Sequence, residues 1–293
     1  MTRLAVPAVL GVMLGCACSG PATPPDREFS LTGQVLALRP DALEITIRHD
    51  DIPGFMDAMT MPFKVKDRRL LAGTAPGDLV RATLIVTDEE SYLSTLEKTG
   101  AAPLPPPVPE PPVTAADLFE VGEPVPQVTF VADGGGPLAI SSLRGSAVVL
   151  TFIYTRCPLP EFCPLMDKRF AALQKAVLDN EALEGRVKLL TISFDPDRDT
   201  PDVLKAHAAS LGADAATWRF VTADRETVDH FAAGFGLVVM RDDGTPGNIT
   251  HNLRSAVLDP EGRLVKIYTG SDWAPEQILE DLQAVLTGGR TGR

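Results

Sequence analysis

The sequence predicts two folded domains in series, a small all-β domain followed by a larger α/β domain, and three observations predict it. The chain has 293 residues, which at about 150 residues per domain suits two domains better than one. Residues 102–112 read Ala-Pro-Leu-Pro-Pro-Pro-Val-Pro-Glu-Pro-Pro, where the prolines impose extended polyproline II geometry and forbid a packed core. On either side of this stiff spacer the pattern changes, from short strand-like runs to strands alternating with helical periods.

In the first domain, residues 29–100, strands are expected over residues 31–38, 43–48, 63–66 and 79–87. Turn signals at Arg39-Pro40-Asp41, Ile52-Pro53-Gly54 and Pro76-Gly77-Asp78 separate them. Closure into a small antiparallel barrel would leave no open edges.

In the second domain, residues 120–287, residues 147–154 form a continuous apolar run, as for a central strand buried on both faces. A helix is expected after Cys163, with Pro164 at its first position. Residues 187–194 read as a second strand, Thr200-Pro201 caps a helix reaching Leu211, and residues 224–233 form another. Residues 255–259 and 263–268 make a hairpin around Pro260-Glu261-Gly262, and residues 275–286 close the chain as a helix. Strand, helix, strand, helix, then hairpin and helix is the thioredoxin-like order.

Hydrophobic residues make up 44% of the chain and charged residues 23%, which excludes disordered, collagen-like and polytopic membrane classes. The net charge is −12, with 39 acidic against 27 basic residues. Binding to nucleic acid through phosphate neutralisation is therefore excluded as a leading reading.

Residues 4–14 are an uninterrupted apolar run after Arg3. At 1.5 Å per residue the run is too short for roughly 30 Å of hydrocarbon, and it suits the core of a signal peptide over residues 1–15. Met13-Leu14-Gly15-Cys16 resembles a bacterial lipobox, which implies lipidation at Cys16, with Cys18 the weaker acceptor. Residues 16–28 then read as a tether and residues 101–119 as the linker. The mature protein is expected on the periplasmic side of a bacterial membrane, held by its acyl chains.

Two places concentrate soft donors. Cys157 ends the buried strand and Cys163 precedes a helix, whose free amides and dipole favour thiolate. Five residues, two of them proline, separate the two cysteines. Such a loop can hold two sulfurs as metal ligands or close into a redox-active disulfide, and spacing alone leaves both open. In the first domain, Met59 and Met61 point to one face at strand period and His49 can approach from an adjacent strand. Thioether with imidazole prefers Cu(I) or Ag(I) to harder metals, although methionines also simply fill small cores.

Tyr154-Thr155-Arg156-Cys157-Pro158, Cys163-Pro164, Ser193-Phe194-Asp195-Pro196-Asp197-Arg198-Asp199-Thr200-Pro201 and Thr250-His251-Asn252, in this order, resemble the SCO/SenC family. That resemblance implies a thioredoxin-like copper-binding protein assisting cytochrome c oxidase assembly, with Cys157, Cys163 and His251 as ligands. The family's usual Cys-x-x-x-Cys is here two residues longer. Such a donor set suits Cu(I), suits Cu(II) with a further ligand, and would also accept zinc. Asp195 is a candidate to orient the site, with a plain turn residue as the equal alternative. Met166 is expected to be core, and His207 and His230 ordinary helical histidines. The segment from His49 to Phe63 resembles the CusF-like periplasmic copper-binding domains, five-stranded barrels with one His and a Met-Thr-Met motif. Carried over, the ligands are His49, Met59 and Met61, with Met56 a third thioether or a lid.

The leading expectation is a lipid-anchored metallochaperone receiving copper from an upstream donor and serving a client such as a cytochrome c oxidase subunit. The alternatives are a thiol-disulfide oxidoreductase acting on client cysteines and a periplasmic copper sequestration protein. Against the oxidoreductase, no proline lies between Thr250 and Asp259, where thioredoxin-like reductases usually place one facing the dithiol.

Overall fold

The structure, a computed structural model, describes residues 26–105, 118–241 and 249–288. The expected signal peptide, Cys16 and most of the proline-rich spacer lie outside the described residues.

Five antiparallel strands, β1 (Arg27–Arg39), β2 (Glu44–His49), β3 (Met59–Lys64), β4 (Asp78–Val86) and β5 (Ser91–Ala101), form one sheet in the order β3-β2-β1-β4-β5. Along β4 every second residue is buried, the period-2 signature of a strand with one face on a core. Inside lie Leu31, Val35, Ile45, Ile47, Phe63 and Leu84. The expected closed barrel is corrected to a five-stranded sheet. The edges are linked just past β3 by the isolated Val65–Leu93 bridge, where the Lys66 amide donates to the Leu93 carbonyl at 3.0 Å. β3 has six residues against eleven in β5, and Pro62 within it has no N–H to offer a further ladder, which suits β3 to an edge.

Gly33 on β1 faces His49 on β2. A Cβ at Gly33 would stand 2.5 Å from the Arg48 carbonyl oxygen and 2.8 Å from the His49 Cα. The missing side chain therefore lets β1 press directly against the backbone that carries His49.

The second sheet has seven strands in the order β14-β13-β8-β9-β10-β6-β7. Its centre is parallel: β8 (Ala147–Ile153), β9 (Val187–Ser193) and β10 (Trp218–Thr222). All seven residues of β8 are buried, as expected where helices cover both faces. The connections run through α1 (Cys163–Leu178) and α2 (Pro201–Ser210), and α3 (Arg225–Ala233) follows β10. The hairpin β13 (Arg254–Leu258) and β14 (Leu264–Thr269) pairs antiparallel with β8, and α4 (Pro275–Leu286) packs beneath it. The short strands β6 (Thr129–Ala132) and β7 (Pro137–Ala139) finish the far edge. This is the thioredoxin-like arrangement. A separate two-stranded ribbon, β11 (Val239–Arg241) with β12 (Ile249–His251), stands outside the main sheet.

The two domains are docked. Leu159, in the loop between Cys157 and Cys163, is 4% exposed and belongs to the core of the first domain. Such burial of a leucine is worth about 1.5–3 kcal/mol. Cys157 and Phe162 pack against both cores. Ser91 donates its hydroxyl to Glu161, and the Lys168 ammonium donates to the Asp88 carbonyl at 2.8 Å.

Candidate metal centre

Cys163 opens α1 and is buried, while Cys157, expected to end the strand, lies in the loop four residues beyond the end of β8 and is half-buried. Both are free thiols. A hydrogen bond from Cys163, helped by His251, holds the Cys157 thiol well below the usual thiol range, whereas burial pushes Cys163 well above it.

His251 ends β12. Its Nδ1 lies 2.8 Å from the Asn252 carbonyl oxygen, an arrangement in which Nδ1 carries the proton and donates. Its Nε2 lies 3.8 Å from the Cys163 sulfur. The rings of Phe194 and Tyr154, with centroids 4.7 and 5.7 Å away, hold the imidazole in place.

Two carboxylates position the Cys157 loop from beneath. Asp195 accepts from Arg156, the residue preceding Cys157, at 2.8 Å. Asp199 is fully buried and accepts from the Thr155 amide at 3.0 Å, the Thr155 hydroxyl at 2.6 Å and the Ser193 hydroxyl at 2.5 Å. Sequence reasoning missed Asp199 because three aspartates crowd one turn, and only burial separates it from the exposed Asp197. Met166 is core, taking the Ser255 hydroxyl at 3.9 Å. His207 pairs with Asp167 at 2.9 Å, and His230 is exposed.

In the first domain, β2 and β3 set His49 directly opposite Met59, and Ile47 opposite Met61. Met59, Met61 and Phe63 are buried on one face while Thr60 points away, as strand period requires. The His49 Nδ1 lies 2.8 Å from the Asp50 carbonyl oxygen, and its Nε2 is buried with no partner. Burial holds the imidazole below its ordinary pKa, so it is neutral. An orphaned buried imidazole nitrogen costs about 1–3 kcal/mol, and a soft cation on that lone pair would satisfy it. A cleft of about 470 Å³ runs past His49, Met59, Gln34 and Arg48.

Members of both donor sets, though neither His49 nor Cys163, line one cavity. A space of about 40 Å³ is lined by Met56, Met59 and Met61 from the first domain and by Tyr154, Cys157 and His251 from the second. Met59 lines both this space and the His49 cleft. Among the described residues no three His, Cys, Asp or Glu side chains form a ready-made metal cluster. Soft donors are gathered only when the thioethers are included.

Residues 123–287 match the SCO1/SenC family model, and residues 28–98 match that of the copper binding periplasmic protein CusF. Copper is the metal of both families. The chain is 28% identical over 162 residues to the SCO1 protein homolog of Bacillus subtilis (strain 168), covering 54% of this chain and 81% of the relative. Among solved structures it is similar to a SCO1/SenC family lipoprotein from Bacillus anthracis str. Ames, with a TM-score of 0.50, 25% identity, and 57% of this chain and 99% of that one covered.

Proposed function

Because this chain belongs to the SCO1/SenC family, we propose that it is an exported copper chaperone that takes Cu(I) at His49, Met59 and Met61 and passes it to Cys157, Cys163 and His251. One observation carries this reading: thioethers of the first domain and the thiol and imidazole of the second line the same cavity. Thioether, thiolate and imidazole form a soft set suited to Cu(I). A donor and an acceptor held in one chain meet at high effective concentration, which favours hand-over above storage in two separate sites.

The test is Cu(I) competition against a chromophoric chelator. Met59→Leu/Met61→Leu and Cys157→Ser/Cys163→Ser should each weaken binding, and the quadruple variant should lose it. Retained binding in the quadruple variant overturns the assignment. Rapid turnover in an insulin-reduction assay by the copper-free protein would favour the oxidoreductase instead.

Location and client follow from the same reading. The first-domain family is periplasmic by name, the Bacillus anthracis structure is of a lipoprotein, and no described helix is long and apolar enough to cross a membrane. Anchoring is assigned to Cys16, so Cys16→Ala should abolish labelling by radioactive palmitate. The client assigned is a copper-accepting subunit of cytochrome c oxidase. A strain lacking the protein should lose oxidase activity and regain it with added copper.

A further inference from the structure

The cavity between the domains raises the question of whether copper occupies two sites in turn or one site built by both domains. Resting on the reading of both donor sets as copper ligands, we infer that the docked chain holds a single shared Cu(I) site, with Met59 and Met61 from β3 and Cys157 and His251 from the second domain on the same ion.

Four observations carry it. The space these residues line is about 40 Å³, room for an ion with one or two waters, since one water needs about 10–15 Å³. β3 and β12 are tied side by side: the Thr250 hydroxyl donates to the Thr60 carbonyl at 2.5 Å, and these two residues adjoin His251 and separate the two methionines. Cys157 packs against the cores of both domains at once. Leu159, two residues beyond Cys157, is embedded in the first-domain core. The lengthened loop is thus the docking element that presses Cys157 toward the thioethers.

The charge balance suits a mostly apolar lining. Methionine and neutral histidine donors add no charge, and one thiolate neutralises the monovalent ion, leaving a neutral complex inside an apolar space. Copper stays Cu(I) throughout, and Cys157 binds it as the thiolate. Met59 borders the His49 cleft as well, so the shared site and that cleft meet at this one thioether.

The test uses the full chain with substoichiometric Cu(I) and a chromophoric competitor. A shared site binds this first copper about tenfold or more tightly than either Met59→Leu/Met61→Leu or Cys157→Ser, because each variant loses the donors of one domain. Leu159→Asp keeps every donor but opposes docking, and should fall to the level of the tighter of those two variants. Wild-type affinity equal to that tighter variant, with Leu159→Asp unchanged, overturns the shared site and leaves two independent sites. Affinity untouched by either donor variant overturns instead the reading of these residues as copper ligands. As a measurement independent of Leu159→Asp folding, selenomethionine-substituted wild type is examined at the copper absorption edge under the same limiting copper. Selenium and sulfur scatterers on one ion support the shared site, and only one kind of scatterer refutes it.

Discussion

Thr250 donates its hydroxyl to the carbonyl oxygen of Thr60 at 2.5 Å, joining the residue before His251 to the residue between Met59 and Met61. This bond crosses the domain boundary and fastens β12 to β3. Thr250→Val keeps the shape and removes the donor, leaving a carbonyl without its partner. It should lower stability to urea unfolding by about 0.5–1.5 kcal/mol. An unchanged midpoint and slope would mean the domains are not held this way in solution.

The two cysteines should differ in reactivity. Cys157 is held below the usual thiol range and Cys163 above it, and only thiolate is alkylated. Iodoacetamide at neutral pH should therefore label Cys157 first, with its rate rising through a lower pH range than for an ordinary thiol. Labelling of Cys163 should lag and require more alkaline conditions. His251→Gln removes one of the groups that favour the Cys157 thiolate, and should shift its rate profile to higher pH. Differential alkylation read by mass spectrometry decides the order.

Asp199 gathers Thr155 and Ser193 through three hydrogen bonds in a fully buried place. Asp199→Ala strands those donors and should cost about 2–4 kcal/mol. Chemical denaturation measures the loss, and a change under about 0.5 kcal/mol, typical of an ordinary surface position, would refute the anchoring role.

Arg156 and Asp195 form an ion pair whose carboxylate is nearly buried. Removing one member would leave the other charge uncompensated, so the informative variant removes both. Arg156→Met/Asp195→Leu should keep the fold, with a melting temperature within a few degrees of wild type. Cu(I) affinity should drop about 10–100-fold, since the pair positions the residue that carries Cys157. Unaltered affinity would reduce the pair to a turn ornament.

Most elements were legible because their boundaries carry chemical marks. Pro164 marks the first turn of α1, Thr200-Pro201 the start of α2, and Pro275 the start of α4. β5 was not legible, because its outer half, from Glu97 onward, is largely exposed and polar and reads as loop. β10 was missed as well, being a five-residue run interrupted by Arg219, which pairs with Asp133 from a distant turn. The ribbon β11–β12 has three residues per strand, too short for any period to show.

The sequence by itself determined which residues carry soft donors and how they divide into two groups, because donor softness belongs to the side-chain type and strand period puts Met59 and Met61 on one face. It also pointed to the thioredoxin-like order, since each long element there is apolar at its own period. Only the tertiary structure decided that Cys157 and His251 face Met59 and Met61, that Asp199 is the buried anchor, and that Leu159 belongs to the core of the other domain. A leucine between two prolines looks the same whether it meets water or a neighbouring domain. Its partner is chosen by packing between segments far apart in the chain, and no local periodicity encodes that choice.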